Sequence, residues 1–167
     1  RNCETPDQTR ALVAALRAAV GRADAPVLID QEGGRVARLK PPHWRVGPAG
    51  ARLGQLAERD RAAAVEATYL HYNLIAADLA ALGVDVNCAP VLDVAQTGMT
   101  DAIGDRAFGA DPAIVAELGL AACAGLMAGG VAPVIKHMPG HGRARQDSHM
   151  DLPRVEVDRA TLMRSDF

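Results

Sequence analysis

Three short aliphatic runs set between longer stretches of helical periodicity predict an α/β chain with parallel strands. The layout is that of an incomplete (β/α)8 TIM barrel, an N-terminal portion with about three strands and their flanking helices. The first observation behind this is the order helix, strand, helix, strand, helix, strand, helix, since strands separated by helices pair in parallel through crossovers. The second is the position of the polar residues. Asp30, Asp93, and Lys136 with His137 each stand just past an aliphatic run, and barrels gather their catalytic residues at the C-terminal ends of several strands. The third is that no Gly-rich phosphate loop follows any run, which argues against a dinucleotide-binding sheet. A closed barrel needs roughly 250 residues, so these 167 read as one partial domain, residues 1–167, with the first strand and the later ones absent. Two unpaired strand edges would remain, and self-association or pairing with a missing piece is expected.

Taken in order, Thr5-Pro6-Asp7 opens a helix with a capping hydroxyl, Pro at the first helical position and an acid in the first turn. Leu12, Val13, Leu16, Ala19 and Val20 follow at helical spacing, and Gly21 ends the run. Ala25 to Ile29 is a buried strand ending at Asp30, and Gln31 to Arg38 forms the loop after it, with Gly33-Gly34 allowing a tight bend. Pro41 to Leu56 carries Pro41, Pro42, Gly47, Pro48, Gly50 and the only Trp, Trp44, and reads as irregular. A long helix runs from about Arg59 to Leu82, with Val65, Tyr69, Tyr72, Leu74, Ile75 and Leu79 on its buried side, and Gly83 closes it.

Val84 to Pro90 is the next strand, and Val91 to Ala110 a loop carrying Asp93, Asp101, Asp105 and Arg106. Asp111-Pro112 caps a helix to about Ala128, Val131 to Ile135 is the third strand, and Val157-Asp158 opens a last helix. Residues Ala113 to Ile135 contain only one charge, Glu117, and approach the length of a membrane span. Gly129-Gly130 and Pro133 divide them into a helix and a strand, so no membrane partner is expected.

Composition narrows the classes. The apolar share is 49% but the aromatic share only 3%, which suits Ala-rich helices on short aliphatic strands. The net charge of −2 balances 18 basic against 20 acidic residues, so nucleic acid is not an expected partner. Cys3, Cys88 and Cys123 are odd in number and lack metal or redox spacing, and read as free thiols of a cytoplasmic protein.

The chemistry concentrates in Lys136-His137-Met138-Pro139-Gly140-His141-Gly142-Arg143-Ala144-Arg145-Gln146-Asp147-Ser148-His149. This stretch holds three of the five histidines in a loop that Pro139-Gly140 keeps from being helical. His137, His141 and His149 with Asp147 form a plausible Zn²⁺ set by residue type. The His-x-x-x-His spacing puts both rings on one face only in a helix, so no metal is expected. His141 reads as structural, pinning the loop through its side chain. Asp93 reads as stabilising its own loop, Arg143 and Arg145 as solvated surface, and His43 and His71 carry no assignment.

Lys136-His137-Met138-Pro139-Gly140-His141-Gly142, followed by Asp147-Ser148-His149, resembles the K-H-[FM]-P-G-H-G…D-S-H signature of family 3 glycoside hydrolases. More narrowly, it resembles the bacterial cytoplasmic β-N-acetylhexosaminidases that trim peptidoglycan fragments in cell-wall recycling. Ile29-Asp30-Gln31-Glu32-Gly33-Gly34-Arg35-Val36, Ala89-Pro90-Val91-Leu92-Asp93-Val94 and the stretch from Ile103 to Pro112 agree with the same family, in its order.

The resemblance implies a retaining hydrolase that removes terminal β-linked N-acetylglucosamine from a glycan or muropeptide. His149 would be its general acid/base, oriented by Asp147, while Asp30, Arg38, Arg106, Lys136 and His137 would hold the sugar. The family's nucleophile is an Asp in a later D-D-[LM] segment that this chain does not reach, so the short chain is expected to be inactive alone. Free histidine titrates near pH 6.5, which suits it to give and take a proton near neutrality, and no metal or cofactor is implied. The readings left open are a family 3 β-glycosidase of other sugar preference, a metal-dependent barrel hydrolase and an inactive sugar-binding fragment.

Overall fold

Thr5 accepts the Gln8 N–H at 3.2 Å and starts α1, Pro6–Val20, which Gly21 ends in the left-handed region. The computed structural model describes residues 2–167. After α1 come β1 (Leu28–Ile29), α2 (Gly50–Ala57), α3 (Arg61–Ala80) and β2 (Val86–Asn87). A 3₁₀ turn at Gly104–Arg106 precedes α4 (Pro112–Ala128), β3 (Ala132–Pro133) and α5 (Arg159–Ser165). Asp60, Asp111 and Asp158 cap α3, α4 and α5 by accepting first-turn N–H groups.

The strands form one parallel sheet in the order β1-β2-β3, with Leu28 opposite Val86 and Val86 opposite Ala132. The helix–strand alternation and the parallel pairing are as expected. The regular ladder is shorter than expected, because Val86 and Cys88 of the second strand donate to Val27 and Ile29 of the first and the next donor position is Pro90, which has no N–H. Pairing resumes at the top, where Val91 bridges Lys136 and the Leu92 N–H donates to the Lys136 carbonyl at 2.6 Å. That bridge aligns the loops after β2 and β3 at one end of the sheet.

The core lies between the sheet and the α3–α4 pair. Tyr72, Ile75, Ala76 and Leu79 of α3 meet Val115, Leu118, Ala122 and Leu126 of α4. The expected buried side of α3 is corrected at Tyr69 and Leu74, which are exposed, while the small residues Ala64 and Thr68 are buried. Close helix approach selects them, as it does Gly125 of α4, where a Cβ would press on the Tyr69 carbonyl.

The first and third strands are not fully buried. Leu28 of β1 is 53% exposed and Ile135, just past β3, 43%. A further correction is α2, which lies inside the stretch read as irregular. The three cysteines are free. No helix among the described residues is long and apolar enough to cross a membrane.

Candidate active site

Asp30 and Glu32 stand at the top of β1 because the loop after it is tied at both ends. The Gln31 N–H donates to Asn87 Oδ1 at 3.0 Å, and Asn87 Nδ2 donates back to the Gln31 carbonyl at 2.8 Å. Gln31 Oε1 then accepts the N–H groups of Arg38 and Leu39 at 2.7 and 3.0 Å, closing the loop on its own side chain. Gly33, with φ at 102°, makes the bend inside it, and the Glu32 N–H donates to the Val36 carbonyl at 2.9 Å. Arg35 crosses to the next loop, pairing with Asp105 at 2.8 Å and donating to the carbonyls of Asp101, Ala102 and Ile103.

The charges interlock. Lys136 Nζ lies 2.7 Å from Asp30 Oδ1 and 2.6 Å from Glu32 Oε1. Arg106 forks onto Glu32 through Nε at 2.9 Å and Nη2 at 2.8 Å, and donates through Nη1 to the Ala102 carbonyl. Glu32 is 6% exposed, so its two cations give it the pairing that a buried carboxylate requires. Those hydrogen bonds hold the Arg106 guanidinium above its usual range, against the effect of burial. Burial pushes Asp30 up, but the Lys136 hydrogen bond and the charges of Lys136, Arg38 and Arg106 outweigh it and hold its carboxyl below the ordinary value. Arg38 Nη2 lies 3.6 Å from Asp30 Oδ2.

Asp93 is fully buried and builds the histidine loop. It accepts from His137 Nδ1 at 2.6 Å, from the His141 N–H at 2.6 Å and from the His137 N–H at 3.4 Å. Burial raises its carboxyl, yet the His137 ring and the two N–H groups prevail and keep it low. An ionised Asp93 only accepts, so His137 Nδ1 carries the proton. The Arg106 guanidinium, 3.3 Å from Nε2, only donates, so Nε2 presents its lone pair. Both ring nitrogens of His137 are therefore committed. Among the described residues no three His, Cys, Asp or Glu side chains converge as metal ligands would.

His149 is the exposed member, its side chain 84% accessible, and its Nδ1 lies 2.7 Å from Asp147 Oδ1. The His149 backbone N–H also donates to that oxygen, at 2.9 Å. The N–H and then the ring hold Asp147 below the usual carboxylate range. Asp147 thereby fixes the protonated nitrogen as Nδ1 and leaves Nε2 for proton exchange.

Asp30, Arg38, Arg106, Lys136, His137, Asp147 and His149 all line one open cavity of about 510 Å³, with Arg35, His141 and Ser148. All seven residues singled out in the sequence are thus brought together. Two readings of the loop change. His141 pins it through its main-chain N–H, and its ring Nδ1 is buried without a partner. Arg143 is not solvated, but donates to Asp166 and Ser165, each at 2.8 Å, and ties the histidine loop to α5. Glu32 and Arg35 carried no assignment. Their signal was the excess of cations around one strand end, which needs a buried carboxylate to balance it.

The whole chain, residues 1–167, matches the glycosyl hydrolase family 3 N terminal domain. A β-hexosaminidase of Methylococcus capsulatus is 42% identical over 167 residues, covering 100% of this chain and 48% of its own length. One from Thioalkalivibrio sulfidiphilus is 46% identical over 135 residues, 81% of this chain and 38% of its own. The crystal structure of NagZ from Neisseria gonorrhoeae in complex with N-trifluoroacetyl-D-glucosamine superposes with a TM-score of 0.91 at 36% identity. That superposition covers 99% of this chain and 48% of that one. The chain spans about half the length of the curated relatives it matches.

Proposed function

The chain belongs to glycosyl hydrolase family 3, and on that footing we propose that it forms the sugar-holding and proton-handling half of a retaining β-N-acetylglucosaminidase. The observation that carries this reading is the single cavity onto which Asp30, Arg38, Arg106, Lys136, His137, Asp147 and His149 all open. Asp30 and Lys136 present an acceptor and a donor for hydroxyls of the terminal sugar through charge-assisted hydrogen bonds. Arg38 and Arg106 complete the grip around the N-acetylated ring, and His137, its nitrogens engaged by Asp93 and Arg106, lines the cavity against the sugar through its ring.

In the first step a carboxylate attacks the anomeric carbon, the bond from that carbon to the leaving oxygen breaks, and His149 gives its Nε2 proton to the oxygen. In the second, His149 takes a proton from water as the water oxygen displaces the carboxylate. Asp147 holds the ring's tautomer throughout and steadies the positive charge that the ring carries before the first step and regains in the second. The attacking carboxylate is assigned to the family's later D-D-[LM] segment, so residues 1–167 form a partial barrel domain that turns over nothing alone. Its open sheet edges are assigned to pairing with the rest of the barrel, or with each other when the chain is alone. Muropeptide fragments as substrate, and a cytoplasmic setting in cell-wall recycling, belong to the same proposal and rest on the likeness of the histidine-loop signature.

The test is release of nitrophenol from an aryl β-N-acetylglucosaminide by the full-length protein, with and without a chelator. Turnover that the chelator leaves unchanged, with much weaker cleavage of the aryl β-glucoside, supports the reading. Preference for the glucoside would keep the family and change the sugar. Loss of activity to the chelator would replace the mechanism with a metal-dependent one.

A further inference from the structure

Behind the loop that carries Asp30 and Glu32, the α3 residue His71 lies with its Nε2 3.3 Å from the Glu32 main-chain oxygen. A carbonyl only accepts, so Nε2 carries the proton and donates. The surroundings are shaped for this ring. A Cβ on Gly33 would come within 2.8 Å of His71 Nε2, and one on Gly47 would collide with ring Cε1. The ring packs edge-on against buried Tyr72, with centroids 5.0 Å apart at 63°. Burial holds the imidazole below its ordinary pKa, against a smaller upward pull from the Glu32 carbonyl, which suits the singly protonated ring this contact needs.

Glu32 is the carboxylate on which both Arg106 and Lys136 are seated. His71 does not line the cavity those cations face, but borders an apolar one of about 300 Å³ behind the loop, with Gly33, Gly47 and Pro48. We propose that His71 is a positioning residue for the sugar-binding cations. By holding the Glu32 main chain it sets where the Glu32 carboxylate stands, and so where Arg106 and Lys136 meet the substrate. The inference rests on the glycosidase reading above and extends it to a residue that touches no ligand.

The experiment compares His71→Met with His71→Gln in the full-length protein, two unbranched side chains of which only Gln offers an N–H. His71→Met should raise KM for the aryl β-N-acetylglucosaminide about fivefold, as expected for one lost neutral hydrogen bond, and leave kcat within about twofold. His71→Gln should restore KM to near the native value. An unchanged KM in folded His71→Met, or equal damage from both substitutions, overturns the proposal. Should His71→Met fail to fold, the ¹⁵N resonances of His71 in the native protein decide. Nε2 should be protonated and its proton slow to exchange, and an unprotonated Nε2 overturns the proposal. If the native protein cleaves nothing, the glycosidase reading fails, while the ¹⁵N measurement still tells whether His71 holds Glu32.

Discussion

Glu32 holds Arg106 and Lys136 in the upper loops through one carboxylate that water barely reaches. Removing one partner of such a pair strands the other's charge, so Glu32→Gln should cost roughly 3 kcal/mol of stability, read from urea unfolding at neutral pH. Asp93 makes a different prediction, through pH. Its folded pKa is depressed, so its contribution is present above the unfolded carboxylate value of about 3.9 and is lost as pH falls through the lower folded value. The stability gap between native protein and Asp93→Asn should therefore be full from neutral pH down to about 4 and close below it, in unfolding midpoints measured across that range. At this scale the sequence was most legible where a polar side chain follows an aliphatic run, as at Asp30 and Lys136. Glu32 and His71 were hidden because burial in an irregular loop, or against two glycines from distant positions, leaves no periodicity. The side chain of His141 was misjudged because a main-chain N–H can pin a loop without changing residue type.

Among the elements, α1 and α4 were readable almost to the residue, since Thr5-Pro6 and Asp111-Pro112 mark their starts and caps are local chemistry. α2 was not. Gly47, Pro48, Gly50 and Gly54 look like breakers, yet Gly54 is required within the helix because a Cβ there would strike the Phe108 carbonyl. Gly54→Ala should accordingly destabilise the protein, by about 1–3 kcal/mol as forced overpacking does, although the substitution favours helix by propensity. A chemical-denaturation midpoint at or above the native value would show that α2 has room at that position. Short strands were also beyond the pattern, because hydrophobic runs report burial, while the missing N–H of Pro90 stops the series of donors that Val86 and Cys88 begin.

On the scale of the molecule, the outer edges of β1 and β3 pair with no strand among the described residues, and with Leu28 and Ile135 exposed beside them they look for further pairing. The 167-residue chain alone should sediment as more than a monomer in concentration-dependent fashion, and hydrolyse no aryl β-N-acetylglucosaminide. A clean monomer over the micromolar range would mean that its edges are protected. Fold class and site location were legible at this scale because the strand–helix alternation and the post-strand polar residues are long-range statements written in local sequence. The extent of the barrel was not, since closure depends on strands that these residues do not contain.

The central claim is that His149, held by Asp147, hands a proton to the leaving oxygen. It is tested most directly by kcat/KM of full-length His149→Ala on N-acetylglucosaminides whose leaving groups differ in basicity. Loss of general acid catalysis should cost about a hundredfold or more on a disaccharide, whose leaving oxygen needs the proton. A dinitrophenyl glycoside, whose leaving group departs without one, should be nearly spared. An equal loss on both substrates would contradict the account and make His149 a residue that binds sugar rather than one that moves protons.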